Sequence, residues 1–254
     1  MKKLKISIPV FSILALLFFL PRKEKTNVFM AGDSTMCLYE PSRAPLTGWG
    51  MPFATFFDTT VFVANHARGG RSTRTFINEG RWKAIVDSLN PGDYVLIQFG
   101  HNDEAKEEKY RDRYTPVGDY KLNLEKFIRE SKQKNAYPVL ITPVSRLRFK
   151  DGRAIETHKE YSAAVLEVGT KMNVPVIDLD AASRELYNEM GPDAASLLFM
   201  QLDSLQHPNY PQGQKDNTHF SEYGARRVAE LVLAGIRKKV PELAKRVIVR
   251  PSKK

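Results

Sequence analysis

Four short stretches of this chain carry residue types that fit acyl chemistry: Gly32-Asp33-Ser34-Thr35, Gly69-Gly70-Arg71-Ser72, Gly100-His101-Asn102-Asp103 and Asp216-Asn217-Thr218-His219. A serine hydroxyl is a poor nucleophile until a neutral imidazole takes its proton, and the imidazole needs a carboxylate to hold its tautomer. Asp216 stands three residues before His219, so one short segment supplies both carboxylate and base. A backbone N–H in the Gly69-Gly70 stretch and the Asn102 side-chain amide are the kinds of donor that stabilise an oxygen gaining charge, an oxyanion hole. Taken singly, each stretch has an ordinary explanation. Ser34 suits a helix N-cap, Asp216 a capping residue beside a surface histidine or half of a metal pair, and the glycine segments structural turns.

The elements around these stretches bring them together. Apolar runs at residues 27–31, 60–65, 94–99, 137–142 and 174–179 read as buried strands, with Pro138 and Pro175 near strand starts, where proline is tolerated. Helical spacing marks residues 81–89, 118–134 and 157–172. Residues 181–205 read as a helix interrupted at Gly191-Pro192, and Ser221 as the N-cap of a last helix reaching about Lys239. Strands alternating with helices predict a three-layer α/β/α sandwich on a five-stranded parallel sheet, a flavodoxin-like arrangement. Ser34, the Gly70 stretch and Asn102 come directly after the first three strands, so they emerge on one edge of such a sheet. Residues 39–52, 106–116, 146–154 and 207–217 are the expected cleft walls there.

In order and context, Ser34, Gly70, Asn102 and His219 resemble the four motif blocks of the SGNH (GDSL-like) hydrolases, over nearly all of the chain after Thr26. Finer wording resembles the rhamnogalacturonan acetylesterases: Thr35-Met36 after the serine, the Gly48-Trp49-Gly50 turn, Asn65-His66-Ala67, Gly70-Arg71-Ser72-Thr73-Arg74, Phe99-Gly100-His101-Asn102-Asp103 and Asp216-Asn217-Thr218-His219-Phe220. The resemblance implies Ser34 as nucleophile, His219 as base and then acid, Asp216 as orienting carboxylate, and Ser34, Gly70 and Asn102 as oxyanion donors. It implies removal of acetyl groups from pectin without a metal or organic cofactor. The alternatives are an acetylxylan or other carbohydrate O-acetylesterase, a lipase or thioesterase, and a catalytically silent carbohydrate-binding protein. The charged and aromatic stretch Lys106-Glu107-Glu108-Lys109-Tyr110-Arg111 favours polar substrates over long acyl chains. Trp49 is a candidate sugar-stacking wall, and Arg71 and Arg74 are candidate partners for uronate carboxylates; packing and local salt bridges are the competing roles. His66, His101, His158 and His207 read as structural or surface residues, and Asp103 as a support for the Asn102 loop.

Composition sets the limits. The 254 residues, 42% hydrophobic, suffice for one catalytic domain, assigned to residues 26–254. Lys2, Lys3 and Lys5 precede an apolar run at residues 6–20, then Pro21, Arg22 and Lys23, the shape of a signal peptide or an N-terminal membrane tether within residues 1–25. Six Lys/Arg and one Glu fall in that stretch, so half of the formal +10 belongs to it and the body is mildly basic. The single cysteine, Cys37, cannot pair within the chain and reads as a small buried hydrophobe. An exported, periplasmic, cell-surface or secreted monomer is expected, with acetylated polysaccharide or oligosaccharide as partner. Nucleic acid is not expected, nor membrane contact beyond the N-terminal segment.

Overall fold

A computed structural model describes residues 24–248. The run at residues 6–20 lies outside the described residues; among those described, no helix is long and apolar enough to cross a membrane. The sheet comprises β1 (Thr26–Gly32), β2 (Val61–Asn65), β3 (Tyr94–Gln98), β4 (Tyr137–Ile141) and β5 (Val176–Ile177), all parallel, in the order β2-β1-β3-β4-β5. Alternation assigns each side chain to a layer: Val28, Met30, Leu96, Val139 and Ile141 face one core, while Phe29, Ala31, Val95, Ile97 and Leu140 face the other. Both faces are covered, which is why these strands are apolar runs rather than alternating ones. Pro138 has the same strand parity as Leu140, whose N–H reaches Pro175 O; its missing donor thus faces a side that β5 does not yet cover.

The layer on Phe29 and Val95 holds α1 (Thr73–Asn78), α2 (Arg81–Ser88), α3 (Val117–Gln133) and α4 (Lys159–Met172). The opposite layer holds a one-turn helix at Gly50–Phe53, α5 (Leu179–Ser196) and α6 (Glu222–Lys239). Ser221 caps α6 by accepting from Gly224 N, and Ala225, Val228, Ala229, Val232, Leu233 and Ile236 repeat at helical spacing along its buried face. Each fully buried valine, leucine or isoleucine there contributes roughly 1.5–3 kcal/mol.

The glycine turn at residues 69–72 leads into α1, which sequence reasoning did not assign; Ser72 and Thr75 form a capping box at its start. Two expectations change. Strand β5 is two residues long because Asp178 turns the chain into α5, accepting from Ala181 N. The helix expected over residues 181–205 ends at Ser196 and is kinked at Gly191 (φ 75°, ψ 165°). The chain then forms an antiparallel hairpin of β6 (Phe199–Leu202) and β7 (Gln214–Phe220).

Candidate active site

Strand β1 ends at Gly32 and the chain turns at once. Asp33 Oδ1 accepts from Thr35 N (3.0 Å) and Thr35 Oγ1 (2.8 Å), the Asp33 carbonyl accepts from Cys37 N, and Tyr39 Oη donates to the Ser34 carbonyl at 2.8 Å. Four contacts thus hold a turn that lifts Ser34 at the carboxyl edge of the sheet. Behind it, Trp49 Nε1 donates to Gln98 Oε1 (2.6 Å) and Gln98 Nε2 to Thr35 Oγ1 (2.8 Å). Trp49 has no exposed surface and meets Phe53 edge-on, so it braces the turn from inside the core; the expectation of a sugar-stacking wall is corrected.

His219 is near the end of β7, and β6 holds that strand in place through the Met200–Asp216 pairing. Its Nε2 lies 2.8 Å from Ser34 Oγ and its Nδ1 2.7 Å from Asp216 Oδ2, while Asp216 Oδ1 accepts from Thr218 N (2.8 Å) and His219 N (3.0 Å). Burial pushes the Asp216 carboxyl up, but the hydrogen bond and charge interaction with His219 and the two backbone donors together outweigh it and hold it below its ordinary range. An ionised Asp216 keeps the Nδ1 proton on its own side and leaves Nε2 free to accept from Ser34.

The donor side assembles from two loops. Gly70 sits at φ +78°, a conformation glycine reaches freely, and a Cβ on neighbouring Gly69 would come within 3.7 Å of Ser34 Cβ. Among the described residues, neither the Ser34 nor the Gly70 backbone N–H has an acceptor. Asn102 donates from Nδ2 to Arg71 O (3.1 Å) and accepts at Oδ1 from Arg113 Nη1 (2.8 Å). Asp103 supports this loop as expected: it is fully buried, and its Oδ1 accepts from Thr73 N (2.9 Å) and Thr73 Oγ1 (2.6 Å) at the head of α1. Burial overrides those bonds and raises the Asp103 carboxyl to about 7.

Ser34, Gly70, Asn102 and His219 line one cleft of about 840 Å³. Its walls carry Lys106, Glu107, Tyr110 and Arg113 from the expected 106–116 segment, and Arg146 and Thr157 beyond β4. Arg71 and Arg74 are not among the lining residues. Arg71 Nε grips both Glu79 oxygens (3.0 and 3.1 Å) and Arg74 reaches Asp119 at 3.3 Å, so both make the local salt bridges named as their competing role. Residues Tyr39, Arg43, Tyr210 and Gln214, from the other two expected walls, enclose a smaller recess of about 130 Å³ behind Asp216 and His219.

Sequence reasoning missed a polar chain beneath the cleft. Asp33 Oδ2 lies 3.4 Å from His101 Nδ1, the His101 and His158 rings are 4.3 Å apart, His158 Nδ1 is 2.9 Å from Glu104, and Arg146 joins Glu104 (3.0 Å) to the Thr218 hydroxyl. Burial, helped by His158, pulls His101 down to about 4 despite Asp33, so its ring is neutral at ordinary pH. Asp33, His101 and Thr218 each adjoin a site residue in sequence, so the chain ties the Ser34, Asn102 and His219 segments together. The available signal was topological, because Arg146 lies just past the end of β4. Among the described residues, no group of three His, Cys, Asp or Glu is placed to hold a metal ion.

A parallel sheet in the order 2-1-3-4-5 with a Ser-His-Asp chain at its carboxyl edge is the arrangement of a serine hydrolase. The profile of the GDSL-like Lipase/Acylhydrolase family matches residues 30–227, and the chain belongs to that family. The rhamnogalacturonan acetylesterase RhgT of Bacillus subtilis (strain 168) is 44% identical over 216 residues, covering 84% of this chain and 90% of that protein. The crystal structure of Bacillus subtilis YxiM superposes with a TM-score of 0.72 at 28% identity, covering 86% of this chain and 57% of that one, so this chain spans little more than half of YxiM. Axe2, an acetylxylan esterase from Geobacillus stearothermophilus, shares the fold with a TM-score of 0.61 at 19% identity, covering 84% of this chain and 94% of its own. The chain is thus an enzyme, a carboxylic ester hydrolase.

Proposed function

We propose that this hydrolase is a carbohydrate acetylesterase that removes O-acetyl groups from rhamnogalacturonan. The observation that carries the reading is the Asp216–His219–Ser34 hydrogen-bonded chain opening on a polar cleft, in a sequence 44% identical to a rhamnogalacturonan acetylesterase. Ser34 Oγ attacks the acetyl carbonyl as His219 Nε2 takes its proton. The oxyanion is met by the Ser34 and Gly70 N–H groups and the Asn102 amide. His219 then protonates the departing sugar oxygen, and water, deprotonated by His219, releases acetate from Ser34. The cleft walls are too polar to favour a long acyl chain. An assembled Ser-His-Asp chain also argues against a silent carbohydrate-binding protein. Residues 6–20 would serve export, placing the enzyme where polysaccharide is found.

Acetate release from acetylated rhamnogalacturonan, acetylated xylan and 4-nitrophenyl acetate tests this reading. A preference for the pectic polymer, lost in Ser34→Ala, is expected. Equal rates on both polymers would move the substrate elsewhere, and no release from any of the three would overturn the esterase reading.

A further inference from the structure

We propose that Arg113 is a positioning residue of this site: its guanidinium fixes and polarises the Asn102 amide as an oxyanion donor. The inference rests on the serine-esterase reading above.

An asparagine side chain helps an oxyanion only if its nitrogen faces the reacting oxygen; flipped, it presents an acceptor and repels the charge. Arg113 settles the orientation. A guanidinium has donors only, so the Asn102 atom 2.8 Å from Arg113 Nη1 must be Oδ1. On the other side, Nδ2 uses one N–H on Arg71 O at 3.1 Å, which leaves a second for a ligand in the cleft that Asn102 lines. A cation at the oxygen end of an amide also draws electron density from its nitrogen and strengthens the remaining N–H as a donor.

Arg113 is itself braced. Its guanidinium carbon stands 3.8 Å from the Tyr110 ring centroid, and its backbone N–H donates to Tyr110 O at 3.0 Å. Two residues on, Thr115 N donates to Asp103 O at 2.9 Å, tying the wall segment to the loop that carries Asn102. The guanidinium also lies close to the second donor: a Cβ at Gly70 would meet Arg113 Nη1 at 3.5 Å. One cation thus borders both Gly70 and Asn102 and belongs to a cleft wall, linking the surface that receives substrate to the groups that stabilise the transition state.

The test is a double-mutant cycle on 4-nitrophenyl acetate, too small to reach a polysaccharide subsite, using the full chain as wild type, Arg113→Met, Asn102→Ala and the double variant, with thermal melts of each. Arg113→Met should lower kcat and kcat/KM together by about 10- to 100-fold with KM within about twofold. In the Asn102→Ala background the same change should cost less than about twofold, because its route of action is gone. Tyr110→Ala, which removes only the stacking platform, should give a smaller kcat loss of the same kind and serves if Arg113→Met fails to fold. Losses that multiply independently, or a raised KM with kcat intact, would overturn the inference and make Arg113 a direct substrate contact. An inactive wild type would overturn the esterase reading itself, whereas multiplying losses in an active enzyme remove only the role of Arg113.

Discussion

Ser34 and His219 are 185 residues apart in the chain and meet at 2.8 Å, and the reactivity of the serine depends on what surrounds that contact. Asp216 supplies a charge that burial alone would suppress and that His219 and two backbone N–H groups preserve. Asp216→Asn should therefore lower kcat by about 10²–10⁴-fold, through loss of the productive imidazole tautomer, with little change in a melting curve; a loss below about tenfold would show that the tautomer is held by something else. Asp103 works the other way. Its carboxyl is raised to about 7 in the folded protein from an ordinary 3.8, so between those values the folded state retains a proton that the unfolded chain has released. Stability then falls as pH rises through that window. Asp103→Asn should flatten this slope in a series of melts from pH 4 to 8, and an unchanged slope would contradict the assignment. The residues that the structure brings to one cleft, Ser34, Gly70, Asn102, Asp216 and His219, were legible in the sequence because few residue types suit acyl chemistry at such spacings. Trp49, Arg71 and Arg74 were not, because an exposed or buried fate depends on partners far along the chain or across a helix: Gln98 for Trp49, Glu79 for Arg71 and Asp119 for Arg74.

At the scale of elements, the β6–β7 hairpin and α6 deliver Asp216 and His219 to the serine. Helix α6 starts two residues after His219's neighbour Phe220, and its first turn is pressed against the preceding chain: a Cβ at Gly224 would fall 1.7 Å from Leu198 O. Gly224→Ala must push the helix start away, with an expected cost of about 1–3 kcal/mol and a fall in kcat, since the same movement drags on His219. Ser221→Ala removes the cap and should cost about 1 kcal/mol while sparing kcat; chemical denaturation paired with kinetics separates the two. If both variants lost stability and activity in step, the helix start would have no special hold on the histidine. The long strands β1, β3 and β4 were legible as apolar runs. The hairpin was not, because Phe199-Met200-Gln201-Leu202 is a four-residue run placed directly after a helix, and its strand character comes from pairing with β7 rather than from its own pattern.

Across the whole molecule, the site lies at the carboxyl ends of the strands, while the chain enters the fold at Thr26, the start of β1, at the opposite edge. Residues 1–23 should therefore be dispensable for chemistry. Their removal is expected to leave kcat/KM on 4-nitrophenyl acetate within about twofold, and a larger loss would place that segment in contact with the site. Fold class was legible at this scale, since strand–helix alternation with both sheet faces apolar permits few architectures. The cleft's contents were less so, because its walls come from segments brought together only by the sheet. The most direct measurement of the central claim is mass-spectrometric mapping of the full chain after reaction with a fluorophosphonate, a reagent that modifies a serine only when that serine is activated. One adduct on the peptide containing Ser34, absent in Ser34→Ala and strongly slowed in His219→Ala, is the predicted result; an adduct on another residue, or full esterase activity in Ser34→Ala, would contradict it.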